Sequence, residues 1–518
     1  MLLIHPPVAK PCEPPAGIAR LAMALRSAGI DCRVFDASLE GLLYLLGLPP
    51  AAGDTWTRRA AVKIDVHLQA LRSGAVYTHA DRYKKAVLDL NRIVSMAGRA
   101  SGVRISLADY ADPGLAPVRS ADLMESARRF RRNVFFPFFA SRLAALLAEQ
   151  EPEIVGFSVN FMSQALCAFA MAGFIRQRFP GSRIVFGGGL ITSWMSRAGF
   201  RNPFGGIADD LVAGPGERPL LAMCGIHGPE SGSCGGLDYA GFPMDRYLSP
   251  GPVLPYSASS GCYWRRCRFC PETAEGGGYR PVPAEDVLGD LRCLIRLNRP
   301  VLIHFLDNAL SPLLMKRLME NPPGVPWYGF ARITGHLADP DFTAGLRKSG
   351  CVMLKLGIES GDQGVLDALE KGIDLRTVSA ALRTLKASGI ATYAYLLFGT
   401  PAETPRSAEN TLAFTVAHAE SIDFLNLAIF NLPAAAGEAR ELKTAAFYPG
   451  DLSLYREFVH PHGWQRDQVR RYIEKTVKPH PAVRPILRAN PPLFTSNHAP
   501  FIRNQDFSRF FNGRAVSG

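Results

Sequence analysis

The sequence predicts an α/β protein: an N-terminal Rossmann-like parallel sheet with a helical insertion, then a partial (β/α)6 TIM-type barrel and an irregular C-terminal segment. Three observations support this fold class. The chain has 518 residues, which is too long for one compact core and favours roughly two to four domains. Short apolar runs alternate with amphipathic helical stretches in two separate regions. Loops of small residues follow several of these runs, as they do at the carboxyl edge of parallel sheets.

The first domain is expected to span residues 1–240. Apolar residues 2–4, the amphipathic stretch 18–27 and the β-branched and aromatic stretch 32–35 read as strand, helix and strand. From about residue 50 to residue 148, long Ala-, Leu- and Arg-rich stretches with helical spacing predict an inserted helical region.

The α/β pattern of the first domain resumes after this insertion, with strands predicted at residues 153–159, 183–186 and 209–213. Small residues at the strand ends let a ligand approach backbone N–H groups at the carboxyl edge of the sheet. No Gly-x-Gly-x-x-Gly motif occurs there, which argues against a dinucleotide site. The residues of these loops that we select are Ser158, Gly187, Gly188, Gly214, Gly216 and Glu217.

The second domain is expected at residues 241–435, after a Gly- and Ser-rich linker at residues 230–241. Its apolar runs are separated by helical stretches of ten or more residues, as in a parallel barrel or part of one. Residues 436–518 show no clear alternation and are expected to form an irregular segment against the barrel. The strands are predicted near residues 256–259, 301–306, 327–333, 352–358, 393–398 and 424–430.

Composition limits the classes of protein to which this chain can belong. The hydrophobic fraction of 47% and charged fraction of 20% are typical of soluble globular proteins, and no run approaches the roughly 18 apolar residues of a membrane span. The N-terminus has no basic region and no cleavage site of a signal peptide, so we expect a cytoplasmic protein without a membrane partner. The net charge of +12 favours an anionic partner, but no RNA-binding fingerprint accompanies it, which argues against nucleic acid.

A cysteine cluster carries the strongest chemical signal. Seven of the ten cysteines are scattered singly, which does not suggest a disulfide scaffold. The other three, Cys262, Cys267 and Cys270, lie within nine residues directly after the first predicted barrel strand. A loop this short can give sulfur ligands to three irons of a [4Fe-4S] cube. The fourth iron then stays open to chelate the amino and carboxylate groups of a small molecule.

Other interpretations of the cluster are weaker. A structural zinc site needs a fourth Cys or His ligand, and none is evident in the sequence nearby. A redox-active pair of Cys267 and Cys270 is possible from the spacing but leaves Cys262 and the barrel unexplained. Chance clustering of buried cysteines fits poorly with the Tyr-Trp-Arg-Arg sequence between them.

The region from about residue 250 to 435 resembles the radical S-adenosylmethionine (SAM) superfamily, whose signature is Cys-x3-Cys-x2-Cys after the first strand. Here the first gap holds four residues. The segments 357–361 and 399–404 resemble the G-x-E-S and G-x-P-x-E-T segments of the cobalamin-associated branch. The resemblance implies that the three cysteines bind a [4Fe-4S] cluster and that SAM binds beside it.

The resemblance also assigns roles to single residues of the barrel. Phe269 matches the aromatic position near the adenine of SAM, and Gly399 belongs to the SAM-binding segments. Glu359 would contact the ribose or amino group of SAM, and Arg332 would pair with its carboxylate. Considered alone, Glu359 could equally be a carboxylate that stabilises a helix N-terminus. Asp307 follows the second strand at the barrel mouth, where polar residues are often functional, and joins Glu359 as a catalytic candidate.

Residues 1 to about 220, apart from the insertion, resemble the cobalamin-binding domain that precedes the barrel in this branch. The matching segments are 14–17, 156–159, 187–189 and 214–217, which implies that the selected loop residues contact a corrinoid. Asp65-Val66-His67 matches the axial-histidine motif only in part and lies in the insertion, so we reject it. Leu190 stands where some relatives have a histidine, so no imidazole ligand to cobalt is expected from these loops. Loss of corrinoid binding is the alternative.

The resulting hypothesis is an enzyme that reductively cleaves SAM and acts as a cobalamin-dependent methyltransferase on an unactivated carbon. The alternatives are a radical rearrangement or oxidation without methyl transfer, and a non-catalytic iron–sulfur or corrinoid carrier. The expected partners are a small-molecule or peptide substrate and an external reductant such as flavodoxin or ferredoxin. The sequence does not name the substrate.

Overall fold

A computed structural model describes residues 1–49, 54–197, 199–227, 236–494 and 498–502. Residues 230–235 of the predicted linker at residues 230–241 lie outside the described residues. Among the described helices, none combines the length and apolar character that a membrane crossing requires. The chain forms two compact units, and the first comprises Met1–Val253, Tyr448–Leu454 and Pro492–Phe494. The second comprises Leu254–Phe447, Tyr455–Pro491 and the described residues after 497.

The first unit is built on a parallel sheet. Five of its strands form this sheet in the order β2-β1-β5-β6-β7, and the remaining two form a short antiparallel hairpin. The strands in chain order are β1 (Leu2–His5), β2 (Arg33–Asp36), β3 (Arg104–Ile105), β4 (Tyr110–Ala111), β5 (Ile154–Ser158), β6 (Arg183–Gly187) and β7 (Asp210–Leu211).

This strand order is that of a doubly wound, flavodoxin-like sheet. The order reverses between β1 and β5, because β2 lies on one side of β1 and the later strands lie on the other. In such sheets a ligand binds in the crevice outside the carboxyl ends of the strands at the reversal. The Rossmann-like α/β prediction is confirmed for this unit.

Helices cover the sheet of the first unit and form the region between β2 and β5, where a helical insertion was predicted. Helix α8 is buried on all sides from Gln164 to Ile175, and Ser126 of α6 donates a hydrogen bond to the Leu166 carbonyl of α8 at 2.8 Å. The helices in chain order are α1 (Ala16–Ser27), α2 (Ala37–Leu46), α3 (Thr55–Ala61), α4 (Ile64–Leu71), α5 (Ala80–Ala100), α6 (Ser120–Arg128), α7 (Phe136–Gln150), α8 (Met162–Arg178), α9 (Gly189–Met195) and α10 (Glu217–Met223).

The second unit is built on a six-stranded sheet in the order β15-β14-β13-β12-β11-β8. Neighbouring strands from β11 to β15 are parallel. The sheet stays open between β8 and β15, so the partial-barrel prediction is confirmed. The strands in chain order are β8 (Val253–Tyr256), β9 (Ser259–Ser260), β10 (Arg280–Pro281), β11 (Leu302–Leu310), β12 (Trp327–Ala331), β13 (Cys351–Glu359), β14 (Ala391–Phe398), β15 (Phe424–Ile429), β16 (Leu432–Pro433), β17 (Thr444–Ala446) and β18 (Tyr455–Phe458).

Two expectations for this unit need correction. The first barrel strand ends at Tyr256, whereas the sequence suggested residues 256–259. Pro255 lies inside this strand, which is tolerated because β8 is an edge strand and proline only removes an N–H donor there. The C-terminal segment is also less irregular than expected. Its strands β17 and β18 form a small antiparallel sheet with β16, which directly precedes the segment, but these strands are too short to produce a visible alternation.

Helices connect the strands of the second unit and continue into the C-terminal segment, where a π-helical turn at Ile473–Val477 follows α19. The helices in chain order are α11 (Pro271–Ala274), α12 (Ala284–Asn298), α13 (Pro312–Glu320), α14 (Pro340–Lys348), α15 (Gln363–Ala368), α16 (Leu375–Ala387), α17 (Pro405–Ala417), α18 (Glu438–Glu441), α19 (Arg466–Tyr472) and α20 (Arg484–Ala489).

Candidate cofactor sites

The cysteine loop follows β8 and β9 at the carboxyl edge of the barrel sheet. Cys270 N–H donates to the Cys267 carbonyl at 3.2 Å, which closes a turn between the second and third cysteines. Arg265 adopts a left-handed backbone conformation with φ of 51° inside the first gap. Non-glycine residues rarely adopt this conformation, and here it gives the four-residue gap a local chain reversal.

Trp264 fastens this loop to the segment after β13. Its indole Nε1 donates to the Glu370 carbonyl at 3.0 Å, and the Arg332 guanidinium carbon lies 3.8 Å from the centre of its ring. Arg332 also donates to the carbonyls of Lys371 and Gly372. A Cβ on Gly372 would overlap the Trp264 ring, so only glycine fits there. The sequence analysis selected Arg332 but missed Trp264, whose hydrogen-bond partner lies 106 residues away.

The three thiols are partly buried. Burial raises the pKa of Cys267, and the positive charges of Lys371 and Arg332 oppose this effect. A [4Fe-4S] cube takes one thiolate on each of three irons, and Cys262, Cys267 and Cys270 offer three thiols from one loop. This donor set fits a cube whose fourth iron is left open.

Glu359 ends β13 beside the cysteine loop and forms a buried ion pair. Lys371 Nζ lies 2.8 Å from Glu359 Oε1, and the two side chains are only 10% and 11% exposed. The same ammonium group lies 5.4 Å from the centre of the Phe269 ring. Glu359 has a φ of 67°, which is strained for a residue with a side chain. The structure thus brings Phe269 and Glu359 together around Lys371, a residue that the sequence analysis missed.

Asp307 is buried on β11 and holds the start of the cysteine loop. Its carboxylate accepts hydrogen bonds from Ala258 N–H at 3.0 Å and from the Ser259 hydroxyl at 2.5 Å. Both donors lie between the end of β8 and Cys262. These contacts give Asp307 a positioning role, and its catalytic role stays a prediction.

Gly399 follows β14 with a φ of 78°, a conformation that favours glycine. Its N–H donates to Glu403 Oε2 at 2.5 Å, and Trp464 Nε1 donates to the same oxygen at 3.0 Å. Burial raises the pKa of Glu403 to about 7. Its other carboxylate oxygen, Oε1, has no hydrogen-bond partner among the described residues. The sequence analysis included Glu403 in the segment 399–404 but did not select it as a site residue.

A cavity with about 190 Å³ of solvent-accessible space lies in the first unit at the carboxyl ends of the sheet strands. Gly188 has a φ of 103°, and a Cβ there would approach the Val159 carbonyl oxygen to 2.6 Å. Asn160 Oδ1 accepts from Gly189 N–H at 3.0 Å, and Asn160 Nδ2 donates to Ser158 Oγ at 3.2 Å. All six loop residues selected from the sequence line the cavity: Ser158, Gly187, Gly188, Gly214, Gly216 and Glu217.

No described histidine lines this cavity. Leu190, at the position noted from the sequence, is buried in α9. His67 lies in the insertion and forms an ion-pair contact with Asp89, with 3.0 Å between Nε2 and Oδ2. The rejection of His67 as a cobalt ligand stays a prediction. Asn160 was missed by the sequence analysis, although a polar residue just after a buried strand is the kind of position that often carries function.

Residues 256–415 match the family model described as the radical SAM superfamily. This part of the chain is a radical SAM domain. The match begins at the last residue of β8 and ends in α17, so it contains all three cysteines, Arg332, Glu359 and Gly399.

Two curated relatives each match about half of the chain. The anaerobic magnesium-protoporphyrin IX monomethyl ester cyclase of Rubrivivax gelatinosus is 26% identical over 243 residues, which is 44% of this chain and 42% of the cyclase. An uncharacterized methyltransferase of Pyrococcus horikoshii is 23% identical over 310 residues, which is 53% of this chain and 66% of that protein. The match thus spans less than half of the cyclase.

A solved structure extends the likeness to both units. The radical SAM methyltransferase TsrM of Kitasatospora setae, determined with cobalamin and a [4Fe-4S] cluster bound, has a TM-score of 0.54 at 16% identity. The alignment covers 88% of this chain and 82% of TsrM. At this identity the likeness establishes the fold alone: a parallel-sheet unit and an open parallel barrel in one chain.

Proposed function

We propose that this protein is a cobalamin-dependent radical SAM methyltransferase that acts on an unactivated carbon. One observation carries the proposal: a radical SAM domain with a three-thiol loop shares its chain with a flavodoxin-like sheet that has a glycine-lined cavity at its carboxyl edge. The first feature fits a cluster and SAM, and the second fits a large ligand bound by backbone groups. TsrM was solved with cobalamin and a cluster bound, and one curated relative is named a methyltransferase.

The chain's own residues divide into holding and positioning roles. Cys262, Cys267 and Cys270 would hold a [4Fe-4S] cluster, which supplies the electron for reductive cleavage of SAM when it is bound. Glu359 would hold the amino or ribose group of SAM, and Phe269 would pack against the adenine. Arg332 would pair with the SAM carboxylate, and Gly399 would let SAM approach the backbone closely. Asp307 would position the cysteine loop.

The cavity of the first unit would hold the corrinoid. Its small side chains would leave backbone groups accessible to such a ligand. Ser158, Gly187, Gly188, Gly214, Gly216 and Glu217 would form its binding surface. A corrinoid bound there supplies the methyl group for transfer.

The partners follow from this chemistry. A one-electron cleavage needs an external reductant, for which flavodoxin or ferredoxin are the proposed donors, and the substrate is proposed to be a small molecule or a peptide. The nine cysteines that the structure describes are all free thiols. This favours a reducing compartment, so we propose that the enzyme works in the cytoplasm.

The experiment that tests the methyltransferase function uses the anaerobically reconstituted protein with hydroxocobalamin, a reductant and SAM carrying a labelled methyl group. We expect bound cobalt near one per chain and label in the corrinoid. Gly188→Ala, whose Cβ would meet the Val159 backbone, should lose most of the cobalt. Gly189→Ala is the matched control, because its Cβ meets nothing closer than 3.8 Å.

Two outcomes would contradict this proposal. One is a wild-type protein that is folded and holds its iron but retains no cobalt. The other is bound cobalt without label in the corrinoid, together with 5′-deoxyadenosine from SAM, which would favour a radical rearrangement or oxidation.

A further inference from the structure

A cleft in the second unit lies where the C-terminal segment meets the carboxyl ends of β14 and β15. Gly399 and Ile429, at the ends of these strands, form one side. Phe447 and several residues between 456 and 466 form much of the other side, and all of them belong to the second unit. We call this feature the C-terminal cleft and define it by Gly399, Phe430, Phe447, Arg456, Trp464 and Arg466.

Hydrogen bonds fix the C-terminal segment against the barrel loops. His460 Nε2 donates to the Thr400 carbonyl at 2.8 Å, and its Nδ1 accepts from His462 N–H at 3.2 Å. Trp464 donates to Glu403, and Arg466 donates to the Phe430 carbonyl at 2.9 Å. The cleft is therefore a built feature whose walls are held by specific contacts.

The cleft contains two guanidinium groups. Arg466 lies with its guanidinium carbon 4.8 Å from the centre of the Phe447 ring. Arg456 Nε donates to Thr444 Oγ1 at 2.8 Å, and no carboxylate among the described residues forms an ion pair with Arg456. An arginine has five N–H donors, so Arg456 keeps donors for an anion. The one acidic residue of the lining, Glu457, is exposed.

Aromatic rings form the apolar part of the cleft, with Phe430 and Phe458 in an edge contact at 5.8 Å between ring centres. Trp464 and Phe447 complete these walls. Flat, rigid rings pack well against a flat apolar ligand. Arginine beside aromatic rings therefore suits a ligand that combines a flat apolar body with a carboxylate.

We propose that the C-terminal cleft binds the carboxylate-bearing end of a flat, apolar substrate. This inference rests on the proposed function, because Gly399 belongs both to the cleft and to the residues that would approach SAM. A substrate anchored through Arg456 would extend toward that glycine. The C-terminal segment is then a substrate-binding element.

The test compares two probes that differ in charge alone: indole-3-propionate and its neutral amide. Both are titrated calorimetrically into the anaerobically reconstituted full chain with SAM present. We expect the acid to bind at least tenfold more tightly than the amide, because a charge-assisted hydrogen bond is replaced by a neutral one. Arg456→Gln should remove this preference, and Arg456→Lys should keep part of it. Arg383→Gln, on the exposed face of α16, is the matched control and should keep all of it.

Equal affinity of the wild-type protein for acid and amide, or absence of binding, would overturn the proposal. So would a full acid preference in Arg456→Gln. Cleavage of SAM by the wild-type protein is measured in parallel and reports on the proposed function. A protein that cleaves SAM without an acid preference refutes the cleft alone. An acid preference without SAM cleavage supports the cleft as a carboxylate site and refutes the radical SAM activity.

Discussion

At the residue scale, Trp264 and Arg332 show how an unusual cysteine spacing is built into a stable loop. The indole is held from one edge by the Glu370 carbonyl and from one face by the Arg332 guanidinium. A cation–π contact contributes about 0.5–2 kcal/mol and a hydrogen bond about 1 kcal/mol. The loop conformation therefore depends on the contacts of Trp264, which lies in the gap between Cys262 and Cys267 and outside the Cys-x-x-Cys part of the motif.

Trp264→Leu should loosen the cysteine loop and lower the iron retained after reconstitution and desalting by several-fold. The measurement is iron per chain, together with the far-ultraviolet circular dichroism spectrum. Trp56→Leu is the control, because Trp56 is 64% exposed in the insertion. Wild-type iron content in Trp264→Leu would show that the stack does not hold the loop.

Glu403 gives the protein a pH-dependent stability. Its pKa is about 7 in the folded chain, above its ordinary value of 4.5, because the carboxyl is buried, and Asp362 adds a small effect in the same direction. Between these two values the unfolded chain loses a proton that the folded chain keeps, so stability falls as pH rises through this window. Above this pH window, the free-energy cost of burying the ionised Glu403 carboxylate no longer changes with pH.

Glu403→Gln should remove that cost and stabilise the protein at about pH 8.5 by roughly 1–3 kcal/mol relative to about pH 5.5. The measurement is the urea midpoint of variant and wild type at both pH values. Glu409→Gln, on the exposed side of α17, should change neither midpoint. A Glu403→Gln difference that does not grow with pH would contradict the buried, protonated carboxyl.

The residue roles were only partly visible in the sequence. The three cysteines could be identified because their spacing is short and local. Lys371 and Trp264 could not, because their partners lie 12 and 106 residues away, and only the fold brings them together. Asp307 was expected to follow the second barrel strand, but it lies inside β11, which continues to Leu310. Its hydrogen bonds give it a positioning role, and its catalytic role stays a prediction.

At the element scale, a close crossing in the first unit joins α6 to α8. A Cβ on Gly173 of α8 would overlap the backbone of Ala127. The sequence did not reveal which helix crosses α8 at Gly173. Strand positions were predicted well where apolar runs are long, and poorly at β8, where Pro255 lies inside an edge strand.

Gly173→Ala should destabilise the first unit by about 1–3 kcal/mol, because the helices must separate to admit a methyl group. The thermal unfolding midpoint measures this effect. Gly181→Ala, just after α8, is the control, because its Cβ would meet nothing within 4 Å. Equal unfolding midpoints for the two variants would show that α6 and α8 admit the methyl group without a loss of stability.

At the scale of the whole molecule, the first unit includes a distant segment of the chain, Tyr448–Leu454. Arg119 Nε donates to the Pro449 carbonyl at 2.8 Å, and Ser120 N–H donates to Asp451 Oδ1 at 2.9 Å. These pairs are about 330 residues apart, so no local pattern predicts them. The sequence therefore predicted the two sheets but assigned residues 448–454 to the C-terminal segment alone.

Gly450→Ala should weaken this attachment, because the new Cβ would overlap the Val118 carbonyl. We expect a loss of about 1–3 kcal/mol and faster limited proteolysis near residue 450. Gly437→Ala is the control, since no atom lies within 4 Å of its Cβ. Unchanged proteolysis in Gly450→Ala would contradict a stabilising attachment.

The most direct test of the central claim compares Cys267→Ala with Cys293→Ala and the wild-type protein after anaerobic reconstitution. Cys293 lies in α12, outside the loop, and serves as the matched control. We predict about four irons per chain and 5′-deoxyadenosine from SAM for the wild type and Cys293→Ala, and loss of both for Cys267→Ala. A folded wild-type protein with no cluster and no SAM cleavage, or a Cys267→Ala variant that retains both, would contradict the account.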